Sequence, residues 1–229
     1  MARINIIDNV VIKDGRLRVI SSLGREKRVF LKQGNLEGEC AVYSLMMMLI
    51  VHNIIDEYDL IMNNNRVSAC VKQLRRLFLY KRRVRGYSLE VLQKKLLKAF
   101  GDIISVKIYT TNPHKDEHLD FGNLYLKIIK HLDSGWPVQI GFYIPNSKSG
   151  HSVVVVGYAE YAKYLRLFCL DPSWGMSCSA FWNNIIDINL DNSADIKMDY
   201  EHMSEQYVLV KEILLINEEL DIVDSPLPF

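Results

Sequence analysis

The 229-residue chain is 49 % apolar and has a formal net charge of +1, enough apolar content for one sizeable core and too little charge for bulk electrostatic binding of nucleic acid. Its longest apolar run, around Leu45 to Val51, is too short to span a bilayer. The amino terminus, Met1-Ala-Arg-Ile, lacks a basic end followed by a long apolar stretch, so the expectation is a cytoplasmic protein with no membrane span, a specialised secretion route being one that leaves no such mark.

Residues 1–30 read as an amino-terminal β decoration on a single domain covering 1–229. Residues 4–12 are rich in Ile and Val, and Lys13-Asp14-Gly15-Arg16 follows; Asp-Gly between β-prone runs predicts a hairpin. Residues 31–134 read as a mainly helical half. Gly34 to Glu39 is a loop, and Ala41 to Ile55 a helix apolar on more than one face, with Met46, Met47 and Met48 as core packing. Amphipathic helices are predicted over Val67–Tyr80 and Ser88–Phe100, with Ser88 as N-cap and Gly101 as terminator. A strand over Ile103–Thr110, a turn at Asn112-Pro113 and a helix over Leu124–Leu132 complete this half. Residues 135–216 read as a mainly β half, with strands at Pro137–Tyr143, Ser152–Tyr158, Tyr164–Leu170, Ile185–Leu190 and Tyr207–Ile216. Residues 217–229 form an acidic tail. The fold class is α+β, with a site between a helical half and an antiparallel β half.

The chemistry-bearing residues fall in the order Gln33, Cys40, His151, Asp171. A thiol in the first turn of a helix gains from the helix dipole, and its own N–H, lacking an intrahelical partner, can donate to an oxyanion. Gln33 can supply a second donor. In the predicted hairpin of Ser152–Tyr158 and Tyr164–Leu170, His151 and Asp171 lie equidistant from Tyr161. They would then face each other across the strands with β-carbons roughly 5 Å apart. A carboxylate there can hold the imidazole tautomer and stabilise the imidazolium. Gly150 is expected to turn the chain just before the histidine.

These segments resemble the papain-like cysteine peptidase superfamily, most of all the bacterial peptidases that process double-glycine (bacteriocin) leader peptides and their stand-alone relatives. The likeness rests on glutamine, then Cys40 at a helix head, then Gly150-His151 before a valine-rich strand, then Asp171-Pro172 after the next strand. Gly135-Trp136-Pro137-Val138 and Trp174-Gly175 are also similar. The resemblance covers residues 30 to 185. It implies a papain-like fold, a thiolate–imidazolium pair, an acyl-enzyme intermediate and a peptide or protein substrate, with catalytic residues Cys40, His151, Asp171 and Gln33. Gln33 stands seven residues before Cys40, where the family usually has six, and Glu39 stands where an aspartate is common. Glutamine deamidases and transglutaminase-like acyl transferases use the same scaffold, and a peptide-binding module without turnover is the alternative outside enzymes.

No cofactor or metal is implied. His114 and His118 lie four apart beside acids, which reads as an exposed turn rather than a metal site. None of Cys40, Cys70, Cys169 and Cys178 forms a Cys-x-x-Cys pair, so all four are expected as free thiols. The basic run Lys72–Arg85 reads as a solvated face, or more sharply as a dock for an acidic partner, onto which the acidic tail could fold; no nucleic-acid motif accompanies it.

Overall fold

Three short strands open the fold: β1 (Ile4–Ile6), β2 (Val10–Lys13) and β3 (Arg16–Ile20). The computed structural model describes residues 4–21, 23–34, 39–61, 67–79, 86–112, 114–115, 118–191, 196–200 and 206–218. Strands β2 and β3 form the predicted hairpin, with Lys13 opposite Arg16. Asp14 and Gly15 both take positive φ, 51° and 65°, the conformation of a type I′ turn. Strand β4 (Glu26–Arg28) adds to β3 and closes a small three-stranded sheet.

Helix α1 (Cys40–Val51) is apolar on all sides, and every residue except Tyr43 is buried, the expected fate of a helix with no polar face. It ends four residues before the expected Ile55; Asn53, at φ 60°, bends the chain away. After a 3₁₀ turn at Glu57–Leu60, helices α2 (Ala69–Phe78) and α3 (Leu89–Phe100) start where serine side chains accept the orphan N–H groups of the first turn. Strand β5 (Ile104–Thr110) follows, then α4 (Phe121–Asp133), capped by Asp120.

The remaining strands are β6 (Val138–Ile144), β7 (Ser149–Glu160), β8 (Tyr164–Leu170), β9 (Asn184–Asn189), β10 (Ile196–Tyr200), β11 (Gln206–Tyr207) and β12 (Leu209–Glu218). They join β5 in one antiparallel sheet in the order β11-β10-β9-β8-β7-β6-β12-β5. Helix α1 packs on β7 and β6, and α3 on β5. The fold is α+β, as expected.

Four expectations need correction. Strand β1 belongs to the main sheet, pairing Ile4–Ile6 with Gly157–Ala159 of β7, so part of the front section is no decoration. Strand β10 was not expected, although Ile196-Lys197-Met198-Asp199-Tyr200 alternates apolar and polar residues. Gly150 is inside β7; the turn before it is Pro145–Lys148, with Lys148 at φ 52°. Arg75, in the supposedly solvated basic run, is buried and donates through Nε to the Asp59 carbonyl. Residues 80–85 of that run and the acidic tail from 219 onward lie outside the described residues, as does Pro113.

The β7–β8 register also differs, and for a reason that bears on the site. Beyond the loop, Gly157 pairs with Phe168 and Glu160 with Leu165, while further along Val155 pairs with Cys169 and Val154 with Leu170. Val156 is therefore an extra residue, a β-bulge. Continuing inward brings Asp171 opposite Val153 and diagonal to His151, not directly opposite it. Without the bulge Asp171 would stand opposite Val154, on the other face of the sheet from His151. One extra residue sets the facing of both side chains.

Candidate active site

Cys40 is the first residue of α1, preceded by Glu39 at the N-cap, and is buried. Its N–H is thus one of the donors that a helix start leaves without an intrahelical partner. His151 comes from β7 and Asp171 from the turn after β8. The His151 Nε2 lies 2.9 Å from Asp171 Oδ1. With Nε2 committed to the carboxylate, Nδ1 is the ring nitrogen left for Cys40, which shares the cavity wall with His151.

Burial opposes a charge on this ring, yet hydrogen bonds and charge attraction from Asp171 and Cys40 outweigh it and push the His151 pKa up to about 10. The ring is therefore held as imidazolium at neutral pH, the state a thiolate needs beside it. Phe142, directly across from His151 on β6, packs edge-on against the ring at 5.4 Å.

Asp171 is fully buried, and its bonds account for that. Oδ1 accepts from the Ser173 N–H at 2.8 Å as well as facing His151. Oδ2 accepts from Asn184 Nδ2 at 2.8 Å. Asn183 clamps the backbone, its Oδ1 taking the Asp171 N–H at 2.7 Å and its Nδ2 giving to the Asp171 carbonyl at 2.8 Å. A buried carboxylate with three donors on its oxygens is fixed in orientation.

A second network ties the helix to the sheet. Gln139, fully buried on β6, donates through Nε2 to the Ala41 carbonyl and to Ser152 Oγ, both at 2.9 Å. Ser152 Oγ in turn donates to Ile140 O at 3.0 Å, and Ser44 Oγ of α1 donates to Ser152 O at 2.9 Å. These bonds join the residues next to Cys40 and next to His151, and so set the spacing between thiol and ring. Sequence reading missed Asn183, Asn184, Gln139 and Ser44. The Asn183-Asn184 pair that opens β9 was the only available signal, since paired amides at a buried strand end need partners.

Gln33 donates its backbone N–H to Pro172 O at 2.7 Å, which fastens the loop ahead of Cys40 to the turn that carries Asp171. Cys40 and His151 open on a cavity of about 350 Å³ walled by Tyr87, Ser88 and Leu89 at the head of α3, by Gly141–Tyr143 of β6 and by Lys211 and Glu212 of β12. Cys70, Cys169 and Cys178 stand apart from it, and all four cysteines are free thiols. Burial pushes the Cys169 thiol up, the condition of an inert core thiol. Among the described residues no group of three His, Cys, Asp or Glu could hold a metal ion, and no helix is long and apolar enough to cross a membrane.

A family model described as the Peptidase_C39-like family matches residues 30–206, most of the chain. The chain belongs to the Peptidase_C39-like family. This places it among the papain-like cysteine peptidases, as the residue pattern implied, and a kinship with the bacteriocin-processing peptidases is consistent with it. The matched span contains Gln33, Cys40, His151 and Asp171 and begins after β4, so the small sheet and β1 lie outside it. A comparison with curated proteins finds none that matches.

Proposed function

We propose that this member of the Peptidase_C39-like family hydrolyses a peptide or protein amide through an acyl-enzyme, with Cys40 as nucleophile, His151 as acid and base, and Asp171 as the group that orients His151. The observation that carries this reading is the His151 ring, bonded at 2.9 Å to a fully buried Asp171 carboxylate and walling one cavity with a thiol at a helix start. The Cys40 sulfur adds to the amide carbonyl, and the negative charge on oxygen is taken by the Cys40 N–H and the Gln33 side-chain amide. The C–N bond breaks as imidazolium Nδ1–H protonates the leaving amine, and a thioester remains. Water then adds, giving its proton to neutral His151, and the thiolate leaves. Asp171 stays ionised throughout and keeps the proton on Nε2.

The test is the alkylation rate of each cysteine against pH, read by peptide mass spectrometry, in wild type and His151→Ala. Fast alkylation of Cys40 well below pH 7, lost with His151, is the expected result. A Cys40 that reacts like an ordinary thiol of pKa about 8.5 would sink the enzyme reading and leave the peptide-binding alternative.

A further inference from the structure

Strand β12 carries its own irregularity where it borders the cleft. Val210 pairs with Phe142 and Glu212 with Gly141, leaving Lys211 as an extra residue in the ladder. Such a bulge re-aims neighbouring side chains, and here Lys211 and Glu212, consecutive in sequence, both line the cavity that holds Cys40 and His151. The bulge is pinned, since Lys211 O accepts from the Thr111 N–H and from Thr110 Oγ1, each at 3.0 Å.

Glu212 is built into this wall. Its Oε1 accepts the Leu89 N–H at 3.0 Å, which sets the carboxylate plane. The residue facing it across the ladder is Gly141, where even a β-carbon would come within 3.2 Å of Glu212 Cγ. Burial pushes its carboxyl up, and the Leu89 bond offsets that in part. Among the described residues it forms no ion pair; Lys115, whose charge acts on it, is engaged with Glu90. Among the described residues that wall the cavity it is also the only carboxylate. Lys211 borders a different groove as well, along Leu119 and Phe121, whereas Glu212 borders the groove of Glu90 and Lys115.

We infer that Glu212 is a specificity residue of the cleft, and that it pairs with a cationic nitrogen of the substrate, an amine or guanidinium close to the bond presented to Cys40. A partly buried carboxylate oriented by one donor and in no contact ion pair among the described residues gains from a ligand that brings a cation against it. The cation comes from a lysine or arginine side chain or from a free α-amine. This inference rests on the peptidase reading of Cys40.

Peptidyl acyloxymethyl ketones that label Cys40 serve as the probe, because labelling needs no turnover. One set carries lysine or norleucine at each position in turn; the other has a free or an acetylated amino terminus. Rates are normalised to iodoacetamide alkylation of Cys40 in the same protein. Wild type is expected to favour the cationic probe by about tenfold or more at one position. The ratio should fall to near one in Glu212→Gln, which keeps the acceptor for Leu89, and invert in Glu212→Lys. The lysine and free-amine arms tell the two sources of charge apart. Labelling of Cys40 with no cationic preference at any position, or a preference unchanged in Glu212→Gln, overturns the inference and leaves the peptidase reading intact. Ordinary reactivity of Cys40 toward iodoacetamide instead removes the reading on which it stands.

Discussion

His151, largely buried, and His52, fully buried, each stack or pack against an aromatic ring, yet the fold gives them opposite charge. His151 meets Phe142 edge-on and has the Asp171 carboxylate at 2.9 Å; its pKa rises to about 10. His52 lies flat on Trp136 at 4.6 Å with both ring nitrogens buried and without hydrogen-bond partners among the described residues; desolvation, with a smaller repulsion from His131, lowers its pKa to about 3. His131 is likewise lowered to about 4 by burial. Burial disfavours the imidazolium in all three, and what decides the sign is whether an anion is bonded to the ring. The stabilisation from His151 is complete below its unfolded pKa near 6.5 and is lost as pH rises through about 10. That from neutral His52 and His131 is complete above about 6.5 and is lost as pH falls toward 3 to 4.

Removing the anion is the strongest way to collapse the difference. Asp171→Ala should leave His151 in the condition of His52, neutral at pH 7, and turnover should drop about a thousandfold. Alkylation of Cys40 against pH would show the loss directly as a shift toward ordinary thiol behaviour, whereas an unchanged profile would mean that Asp171 does not hold the imidazolium.

The acid side of the contrast is next in size. Stability measured by urea melts from pH 7 to pH 4 should decline by a few kcal/mol as the unfolded state takes up protons that His52 and His131 refuse. His52→Phe keeps a ring on Trp136 and removes the titration, so its curve should be flatter. Parallel curves for the two proteins would show that His52 contributes nothing to acid sensitivity.

Two smaller changes sharpen the account of what holds the anion and the thiol. Asn184→Ala deletes the donor to Asp171 Oδ2; turnover should fall about tenfold, with Cys40 alkylation affected in the same direction. Ser44→Ala deletes one bond between α1 and β7 and should cost only a fewfold in rate, since Gln139 still bridges the two elements. A larger loss in Ser44→Ala than in Asn184→Ala would reverse the relative importance assigned to the two networks.

Much of this could be read from residue types and local signals. Asp14-Gly15 gave its hairpin to the residue, because a type I′ turn needs two positive φ angles and that pair supplies them cheaply. The all-apolar helix behind Cys40 and the serine cap of α3 were equally visible; Ser68 as the cap of α2 was not. The β7–β8 register was not, because Val156 looks like its valine neighbours and nothing in its side chain announces that it is supernumerary. His151 and Asp171 were paired correctly from a wrong register, the side chains spanning a diagonal. Gln139 and Asn184 went unnoticed because a buried amide shows its purpose only when the partners it bonds are folded around it.

Strand β1 has a practical consequence for anyone preparing this protein. It lies before residue 30, where the family match begins, yet Ile7 N–H bonds Val156 O at 3.0 Å and the Asn5 carbonyl sits where a β-carbon on Gly157 would be 2.3 Å away. A shortened expression product starting at residue 30 would bare the hydrogen-bonding edge of the strand that carries His151, beside the bulge that sets its facing. Such a product is expected to self-associate on size-exclusion chromatography, and an affinity tag is safer away from that end.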